Sequence, residues 1–597
     1  MKKLRVAYGV LGLVLCSLVS GALTGCKDFG GRRPPPEPPP APRPASANDP
    51  LALGTVGAET LPANVAAQPL RGFGLVIGLD GRGSSDCPTA IRDYLIEILT
   101  KEFGPQGTRG QPKLPSPAEL IDSLDTAVVE VTGLVPAGAR RGARFDLYVT
   151  AILGSSTQSL EGGLLLPTAL RYFDRAASGA GLVAGAVLAE GAGPIFVNPF
   201  AASGGRDDDN ELRRGYVLGG GRVLEERRTR LMLLRPNYRL AQAIERRINE
   251  RFGQRPKTAE ALSAGYLELS TPPLYTAELD YFRGLVAQLY VDNRPTVIEA
   301  RLRELARLAV GQQSDLARIA QTWEAIGRGV IPAIQPFYAH SDPVLRFYAA
   351  RTGLRLGDLS ALPVIGAMAA APGHTHRLVA IHELGACTSP QTAGYLLPLL
   401  ADSETEVRVA AYEALLQRGH PAIRSQPLPH LLDRAQINFM LDVIDCPGSP
   451  LLYVRRTRLP RIAVFGKTML INPPVFYTHP DDSVTVHTVA DSSDVRLFAK
   501  RRGRMSEQVV IPPRVADLVA ALGDVPQRDE AGRLRGLGLP YSRVVQILAA
   551  LCADQTIPAP LVLEPVPLVE LFGPQTLPER PESEPGGLQD TVPTERP

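Results

Sequence analysis

Residues 71–83, RGFGLVIGLDGRG, decide how this chain folds. Leu75–Ile77 has the composition of a buried strand, and the glycines that follow it are typical of a tight turn with positive φ angles. Beyond the turn, apolar residues from Ile91 to Leu99 recur at the spacing of one helix face. The stretch therefore predicts a strand, a glycine turn and an amphipathic helix.

The same glycines could instead cradle a phosphate, because a glycine-rich loop before a helix presents free backbone N–H groups. Their order is G-x-x-G-x-G, no Lys-Ser or Lys-Thr pair follows them, and Cys87-Pro88 intervenes before the helix. We therefore interpret Gly78, Gly81 and Gly83 as turn residues. The nearby carboxylates are expected at turns and at the start of the helix; they are Asp80, Asp86 and Asp93.

Two strand-like runs follow the helix. The first is Thr126–Thr132. The second, Arg144–Ile152, alternates between apolar and polar residues, which indicates a strand with one buried face. A glycine-containing run, SLEGGLLLPT at residues 159–168, closes this part of the chain.

In order and spacing, these pieces resemble the flagellar P-ring proteins of bacteria. Residues 72–83 match the family segment G-Y-G-L-V-V-G-L-x-G-x-G, residues 131–147 match V-T-A-x-L-P-x-x-A-R-x-G-x-x-x-D-V, and residues 159–168 match S-L-x-G-G-x-L-L-x-T. Three matches in the same order are much more specific than any one alone. The resemblance implies a non-catalytic structural protein that assembles in many copies around the flagellar rod in the periplasm.

The N-terminus has the pattern of an export signal. A basic start and an apolar run precede Leu23-Thr24-Gly25-Cys26, which resembles a bacterial lipobox. We expect a lipoprotein signal peptide at residues 1–25 and acylation of Cys26, which would anchor the protein to a membrane without spanning it. The competing interpretation of the apolar run is a transmembrane anchor.

Composition divides the rest of the chain into segments. Proline-rich residues predict an extended linker, and a tail rich in proline and glutamate predicts disorder. The segments are a linker at 26–46, a P-ring-like N-terminal region at 47–294, an alanine- and leucine-rich helical segment at 295–430, a P-ring-like C-terminal α/β region at 437–564, and the tail at 565–597.

An internal repeat marks the helical segment. Arg346, Arg377 and Arg408 recur at a constant interval of 31 residues, and each is followed three positions later by an alanine. Such a period predicts stacked helix pairs that bury a continuous core, and the pattern resembles HEAT repeats. The predicted fold class is therefore α+β, with P-ring-like α/β domains split by an all-α HEAT-like solenoid insertion.

The sequence offers little for catalysis or for a metal. Residues 1–339 contain no histidine, so the P-ring-like N-terminal region has no His-based acid–base chemistry. Three histidines fall in one repeat, but their spacing is not that of two ligands on one helix face, and we interpret them as exposed; they are His374, His376 and His382. The run Asp207–Asp209 lacks the spacing of a calcium loop. We predict no enzyme activity, no cofactor and no metal.

Cysteines give no clear site either. Cys16 is lost with the signal peptide, and no C-x-x-C spacing that would suggest zinc or redox chemistry occurs among the rest. The P-ring family has a cysteine pair in its C-terminal half. Cys552 lies near the later position, whereas the region of the earlier one reads INPPV at residues 471–475. Whether Cys446 and Cys552 form a disulfide stays open.

The formal net charge is +3 for 597 residues, with no long basic run, and this argues against nucleic-acid binding. The resemblance implies other partners: further copies of the chain in a ring, the flagellar rod and L-ring proteins, and peptidoglycan. With a lipid anchor, the expected location is the periplasm, at the outer membrane.

Two other functions remain open. One is a P-ring-derived envelope lipoprotein that binds a protein partner through its HEAT-like repeats and has no part in motility. The other is an enzyme acting on the cell wall, which would need a clustered acidic pair or a Ser/Cys–His pair.

Overall fold

The computed structural model describes residues 49–103, 115–175, 182–200, 211–311, 314–466, 468–488, 494–500 and 507–564. The predicted signal peptide, Cys26, the linker, the tail and the run Asp207–Asp209 lie outside these residues. Among the helices within them, none combines the length and the apolar character needed to cross a lipid bilayer.

The first part of the described chain is mixed α and β structure. Its strands are β1 (Thr60–Ala63), β2 (Gln68–Ile77), β3 (Thr126–Val135), β4 (Arg144–Ala151), β5 (Leu164–Arg175), β6 (Leu182–Pro194), β7 (Arg214–Val223), β8 (Thr229–Leu233), β9 (Ala259–Ala261) and β10 (Tyr266–Leu269), and its helices are α1 (Val56–Glu59), α2 (Thr89–Phe103), α3 (Pro117–Ile121), α4 (Tyr238–Phe252) and α5 (Leu279–Ala287).

Most of these strands close into an antiparallel barrel in the order β2-β3-β4-β7-β6-β5. The alternation predicted for β4 is present: Phe145, Leu147, Val149 and Ala151 are buried, while the residues between them are more exposed. Alternate burial along each strand is what a barrel filled by side chains requires. The predicted helix is also present as α2, and its Leu95 and Leu99 pack outside the barrel strands.

The glycine turn after β2 has two physical causes. Gly78 and Gly81 have φ angles of +78° and +80°, which favour glycine. Gly83 is needed for close approach instead, because a Cβ there would lie 2.0 Å from the carbonyl oxygen of Thr126. The N–H of Gly83 donates to the carbonyl of Leu124 at 2.8 Å, which holds the turn against the start of β3.

The expected roles of the nearby aspartates differ in detail. Asp80 is a turn residue with a φ angle of +54°. Asp86 instead bridges two loops, because its carboxylate accepts hydrogen bonds from Ser84 and from Ser156. The hydrogen bonds from Ser156 and Ser84 lower the pKa of Asp86 to about 2. Asp93 lies within α2 and is exposed, rather than at the start of the helix.

A second sheet has the strand order β1-β8-β10-β9. Its strand β1 precedes the barrel strands in sequence, and its other three strands follow them. One face of this sheet packs on helices α4 and α5. Ile244 and Ile248 of α4, one turn apart, are buried with Leu231 of β8 and Leu267 of β10. Strand β8 and helix α4 therefore form one strand–helix unit around Pro236.

Helices follow without intervening strands. They are α6 (Pro295–Ala309), α7 (Leu316–Ile326), α8 (Ile331–Ile334), α9 (Pro343–Arg355), α10 (Leu362–Ala370), α11 (Arg377–Ala386), α12 (Thr392–Leu396) and α13 (Thr405–Gln417), joined in places by short 3₁₀ turns.

Two of the three repeated arginines make equivalent backbone hydrogen bonds. The Nε of Arg377 donates to the carbonyl of Ala369, and the Nε of Arg408 donates to the carbonyl of Leu400, each eight residues upstream. Arg346 donates to the nearby carbonyl of His340. The alanines three positions after each arginine are completely buried, so that helices approach closely there; they are Ala349, Ala380 and Ala411.

The helical segment is shorter than the predicted 295–430. It ends at Gln417, and Ile423–Pro429 forms a strand that pairs with Ile437–Ile444. Prolines at 427 and 429 do not continue a helix but are tolerated on an edge strand. The last part of the predicted helical range therefore belongs to the sheet that follows.

The final part returns to β structure with two helices. Its strands are β11 (Ile423–Pro429), β12 (Ile437–Ile444), β13 (Leu451–Arg455), β14 (Arg461–Phe465), β15 (Phe476–Thr478), β16 (Val484–Thr488), β17 (Val495–Ala499), β18 (Glu507–Ile511), β19 (Gln527–Arg528), β20 (Leu534–Arg535) and β21 (Leu561–Leu563), and its helices are α14 (Val515–Gly523) and α15 (Tyr541–Ala553). The larger sheets have the orders β11-β12-β14-β13-β21 and β15-β16-β17-β18, and they share one core with α14 and α15.

Replacing Gly83 with alanine tests the close approach at the turn. We expect Gly83→Ala to lower the free energy of unfolding by about 2–3 kcal/mol, because the new methyl group overpacks against a backbone oxygen. Gly394→Ala is the matched control, since a Cβ at Gly394 meets nothing within 4 Å. The stability of both variants is measured by thermal and urea denaturation. Equal stability of the two variants would contradict this interpretation.

Candidate functional site: buried charge networks that join the parts of the chain

A charged network lies where helix α15 meets the barrel. The Nη2 of Arg543 on α15 donates to the carboxylate of Glu161 at 2.7 Å, and its Nη1 donates to Asp481 at 2.7 Å. Glu161 belongs to the run 159–168 and is separated from Arg543 by 382 residues. Only 10% of the Arg543 side chain and 14% of the Glu161 side chain are exposed. We call Arg543, Glu161 and Asp481, with Arg82 and His479, the junction network.

Arg82 extends the junction network into the glycine turn. Its Nη2 donates to the carbonyl oxygen of Glu161 at 2.8 Å, and its Nη1 lies 3.4 Å from the Glu161 carboxylate. Its Nε also donates to the carbonyl of Leu79 within the turn. A single residue, Glu161, therefore connects the turn after β2, the run 159–168 and helix α15.

Electrostatics keep the carboxylates of this network charged. Burial raises the pKa of Glu161, but the hydrogen bond and charge of Arg543, together with the charge of Arg82, hold that pKa below its usual range. Burial likewise opposes ionisation of Asp481, and the hydrogen bond from Ser483 with the charge of Arg543 holds its pKa well below the usual range. For Arg543, burial lowers the pKa, but the bond to Glu161 raises it overall.

His479 completes the junction network on the side of α15. Its Nδ1 lies 2.6 Å from Asp481, and its Nε2 lies 2.8 Å from the side-chain oxygen of Gln546. A histidine held by a carboxylate can act as a general base if its second nitrogen faces a nucleophile. Here the second nitrogen faces an amide of α15, so the pair holds a loop on the helix.

A second network joins the helical segment to the first part of the chain. Arg355 of α9 donates to both carboxylate oxygens of Glu278 at 3.0 Å, and it also donates to Glu383 of α11 at 2.6 and 2.7 Å. Arg351, one turn earlier, donates to the same Glu383 at 2.7 Å. Burial raises the pKa of Glu383, but the hydrogen bond and charge of Arg355, with Arg351, keep that pKa below its usual range.

A third network joins the helical segment to the part that follows it. Asp442 of β12 is completely buried; it accepts from Arg461 of β14 at 2.7 Å and from the hydroxyl of Tyr412 on α13. The repeated Arg408 also reaches across, since its Nη2 donates to the carbonyl of Ser449 at 2.6 Å. The helical segment is therefore bound to its neighbours at both ends by buried, charge-assisted hydrogen bonds.

The histidines of the repeat are less exposed than predicted. His376 is partly buried because its ring stacks on Phe347 with 4.1 Å between centroids, and the Nδ1 of His374 accepts from the backbone N–H of His376. Only His382 of the three is exposed. Within the described ranges, no group of three or more His, Cys, Asp or Glu side chains is placed to hold a metal ion.

The cysteines of the described residues are free thiols, and they are Cys87, Cys387, Cys446 and Cys552. Cys446 belongs to the core that the helical segment shares with β13 and β14, whereas Cys552 belongs to the core around α14 and α15. Burial raises the pKa of the Cys552 thiol to about 11, which makes it unreactive. In this structure the pair left open in the sequence is not bonded.

The residues of the three networks were not predicted from the sequence. Glu161 occupies a variable position in the motif that carried the resemblance, and Arg543 lies outside the three motifs. Sequence patterns report periodicity over one element, and they give no signal for a pair 382 residues apart. The repeated arginines did give a signal, which was their constant interval.

These networks hold the parts of one chain together. Residues 62–301 match the family model described as flagellar P-ring protein. The sequence resemblance to the flagellar P-ring proteins is thereby confirmed for the barrel and the sheet beside it.

Individual relatives agree. The chain is similar to the flagellar P-ring protein of Sodalis glossinidius (strain morsitans), with 32% identity over 35% of this chain and 54% of that protein. It is also similar to the flagellar P-ring proteins of Anaeromyxobacter dehalogenans (strain 2CP-C), with 30% identity over 42% of this chain and 61% of that protein, and of Pseudomonas fluorescens (strain Pf0-1), with 27% identity over 44% and 69%. The chain thus spans 54% and 61% of the length of the first two relatives.

Removing one partner of the junction network tests how much depends on it. We expect Glu161→Gln and Arg543→Met each to lower the free energy of unfolding by about 2–3 kcal/mol, because each leaves a buried charged group with one hydrogen-bonding partner fewer. The double variant should lose much less than the sum of the two. Glu97→Gln, which breaks the exposed Glu97–Lys101 pair, is the control and should leave the melting temperature unchanged. Additive losses in the double-mutant cycle would contradict a coupled network.

His430 gives a pH-dependent prediction at the same junction. Its side chain is 3% exposed and bonds the backbone of Gly162, and burial lowers the pKa of His430 to about 4. Because this folded-state pKa lies below the usual 6.5, the unfolded chain binds the proton first, and stability falls as pH falls from about 6.5 to about 4. The loss from this residue is about 3 kcal/mol.

Replacement of His430 isolates that contribution. We expect His430→Gln to flatten the dependence of the melting temperature on pH between 7 and 4 relative to wild type, since Gln has no proton to bind. The exposed His382 supplies the control: His382→Gln should follow the wild-type profile. Parallel profiles for wild type and His430→Gln would contradict the assignment.

Proposed function

We propose that this protein is a structural component similar to the flagellar P-ring proteins, which assembles as a ring of many copies around the rod in the periplasm and is not an enzyme. The observation that carries the proposal is the match of residues 62–301 to that family model. The junction network supports it, because Arg82 and Glu161 come from two of the matching motifs and fix their relative position.

The domain organisation is part of the proposal. A HEAT-like helical array is inserted between a P-ring-like N-terminal region and a P-ring-like C-terminal region that ends at residue 564. The equivalent backbone bonds of Arg377 and Arg408 support a repeated helical unit. The helices from Leu316 onwards follow the family match at 62–301, as an added module would.

The anchor and location complete the proposal. Acylation of Cys26 would tether the chain to the outer membrane, and the proline-rich residues 26–46 would hold the folded part away from it. Partners would be further copies of the chain, the rod and L-ring proteins, and peptidoglycan. The inserted helices would add a surface on the flank of the ring.

The alternative is an envelope lipoprotein scaffold that binds a protein partner through its helical repeats and has no part in motility. The observation that favours it is that the chain spans only 54% and 61% of the length of the first two relatives. A cell-wall-acting enzyme is the third candidate, and the buried position of His479 between Asp481 and Gln546 argues against that histidine as its base.

Isolation of flagellar basal bodies distinguishes the proposals. We expect a tagged chain to co-purify with detergent-extracted basal bodies in stoichiometric amount, and we expect deletion of its gene to abolish swimming. A Cys26→Ser variant is the control that separates anchoring from assembly. Recovery only in the general membrane fraction, with normal swimming of the deletion strain, would contradict the proposal and favour the scaffold.

A further inference from the structure

One face of the β1-β8-β10-β9 sheet is covered by α4 and α5, and the other carries an apolar row. Met232 of β8 pairs with Leu61 of β1 on one side and with Tyr266 of β10 on the other. Leu262 follows β9 directly. Met232 is 41% exposed and Leu262 is 48% exposed. The solvent face of an antiparallel sheet is usually polar, so an exposed apolar row across its strands indicates a contact surface.

Unpaired positive charge lies next to this row. Leu234, also exposed, follows β8, and the exposed Arg235 comes immediately after it. Among the described residues, no hydrogen bond or ion pair engages the guanidinium group of Arg235. We call Met232, Leu234, Leu262 and Arg235 the sheet-face patch.

A surface of opposite charge lies at the other end of the barrel. Leu153, in the loop after β4, is 99% exposed, and Leu124, just before β3, is 59% exposed. Asp80 and Asp125 are exposed beside them, in loops joined by the bond from the N–H of Gly81 to the Asp125 carboxylate. We call Leu124, Leu153, Asp80 and Asp125 the barrel-end patch.

The barrel separates the two patches. Strand β2 runs from Gln68, five residues after β1 ends at Ala63, to Ile77 at the glycine turn. Its partner β3 runs the opposite way and begins next to Leu124, since Ile77 pairs with Thr126. Ten residues of extended chain span roughly 33 Å, so the patches lie at opposite ends of the barrel.

We propose that the sheet-face patch of one copy binds the barrel-end patch of the next copy. Apolar residues would be buried on both sides, and Arg235 would face Asp80 and Asp125. A contact between two different patches is heterologous, and its repetition gives a ring when the rotation between successive copies closes. This inference rests on the proposed ring-forming function and names the surfaces that perform it.

Two variants of the full chain test the contact by mixing. The sheet-face variant carries Met232→Glu and Arg235→Glu, and the barrel-end variant carries Leu124→Lys and Leu153→Lys. Leu378→Lys on α11 is the control, because Leu378 is also exposed but lies in neither patch. The proteins are purified in mild detergent and their masses are measured by analytical ultracentrifugation over a range of concentrations.

We expect wild type and the control to self-associate and each patch variant alone to do so at least about tenfold more weakly. Mixing the two variants should restore one intact pair of patches and give a one-to-one dimer that grows no further. That dimer also demonstrates that both variants are folded. If the glutamate substitutions or the lysine substitutions prevent folding, variants with glutamine at the same positions are tested for the same loss of self-association.

The failures are distinguishable. Variants that assemble like wild type, or a mixture that stays monomeric while wild type assembles, would overturn these surfaces and leave the ring-forming function standing. A wild-type chain that stays monomeric at every concentration would overturn both the surfaces and the ring-forming function.

Discussion

The ion pair between Arg543 and Glu161 is the constraint on which the arrangement of this chain depends. Each group is buried, and a buried charge without a partner costs several kcal/mol. The pair therefore requires two residues 382 positions apart in sequence to meet. The chain between them forms the whole helical segment before it comes back to the barrel. Replacement of such pairs by apolar residues is often neutral in stability, so we infer that this one specifies which surfaces meet.

The helical segment is held to its two neighbours by the same kind of interaction. At one end Arg355 bridges Glu278 and Glu383, and at the other Asp442 accepts from Tyr412 and Arg461. Charged groups inside such contacts are satisfied only in one relative position, because their hydrogen bonds are directional. The helical segment is therefore held in one position against both neighbours, and its own buried apolar core adds to the stability.

Local features of this fold could be predicted from the sequence, and long-range ones could not. The alternation in β4, the helix α2 and the interval between Arg377 and Arg408 each report one element or one repeat, whose period is set by backbone geometry. The predicted end of the helical segment was wrong because the alanine- and leucine-rich helices and the edge strand Ile423–Pro429 are nearly contiguous in sequence. The partial burial of His376 depends on Phe347 from a neighbouring helix, and the junction network depends on tertiary packing. The apolar outer row of the sheet was also missed, since the run from Leu231 to Leu234 is apolar on both faces.

Hydrogen exchange tests the central claim, that the charge networks make the barrel, the helical segment and the C-terminal sheets one cooperative unit. Exchange of backbone amides in the full chain would be followed by mass spectrometry at increasing urea concentration. The claim predicts that amides of β4 in the barrel, α11 in the helical segment and α15 at the junction lose protection over the same range of urea, and that Arg543→Met separates them. Loss of protection in α15 well before the barrel in the wild-type protein would contradict it.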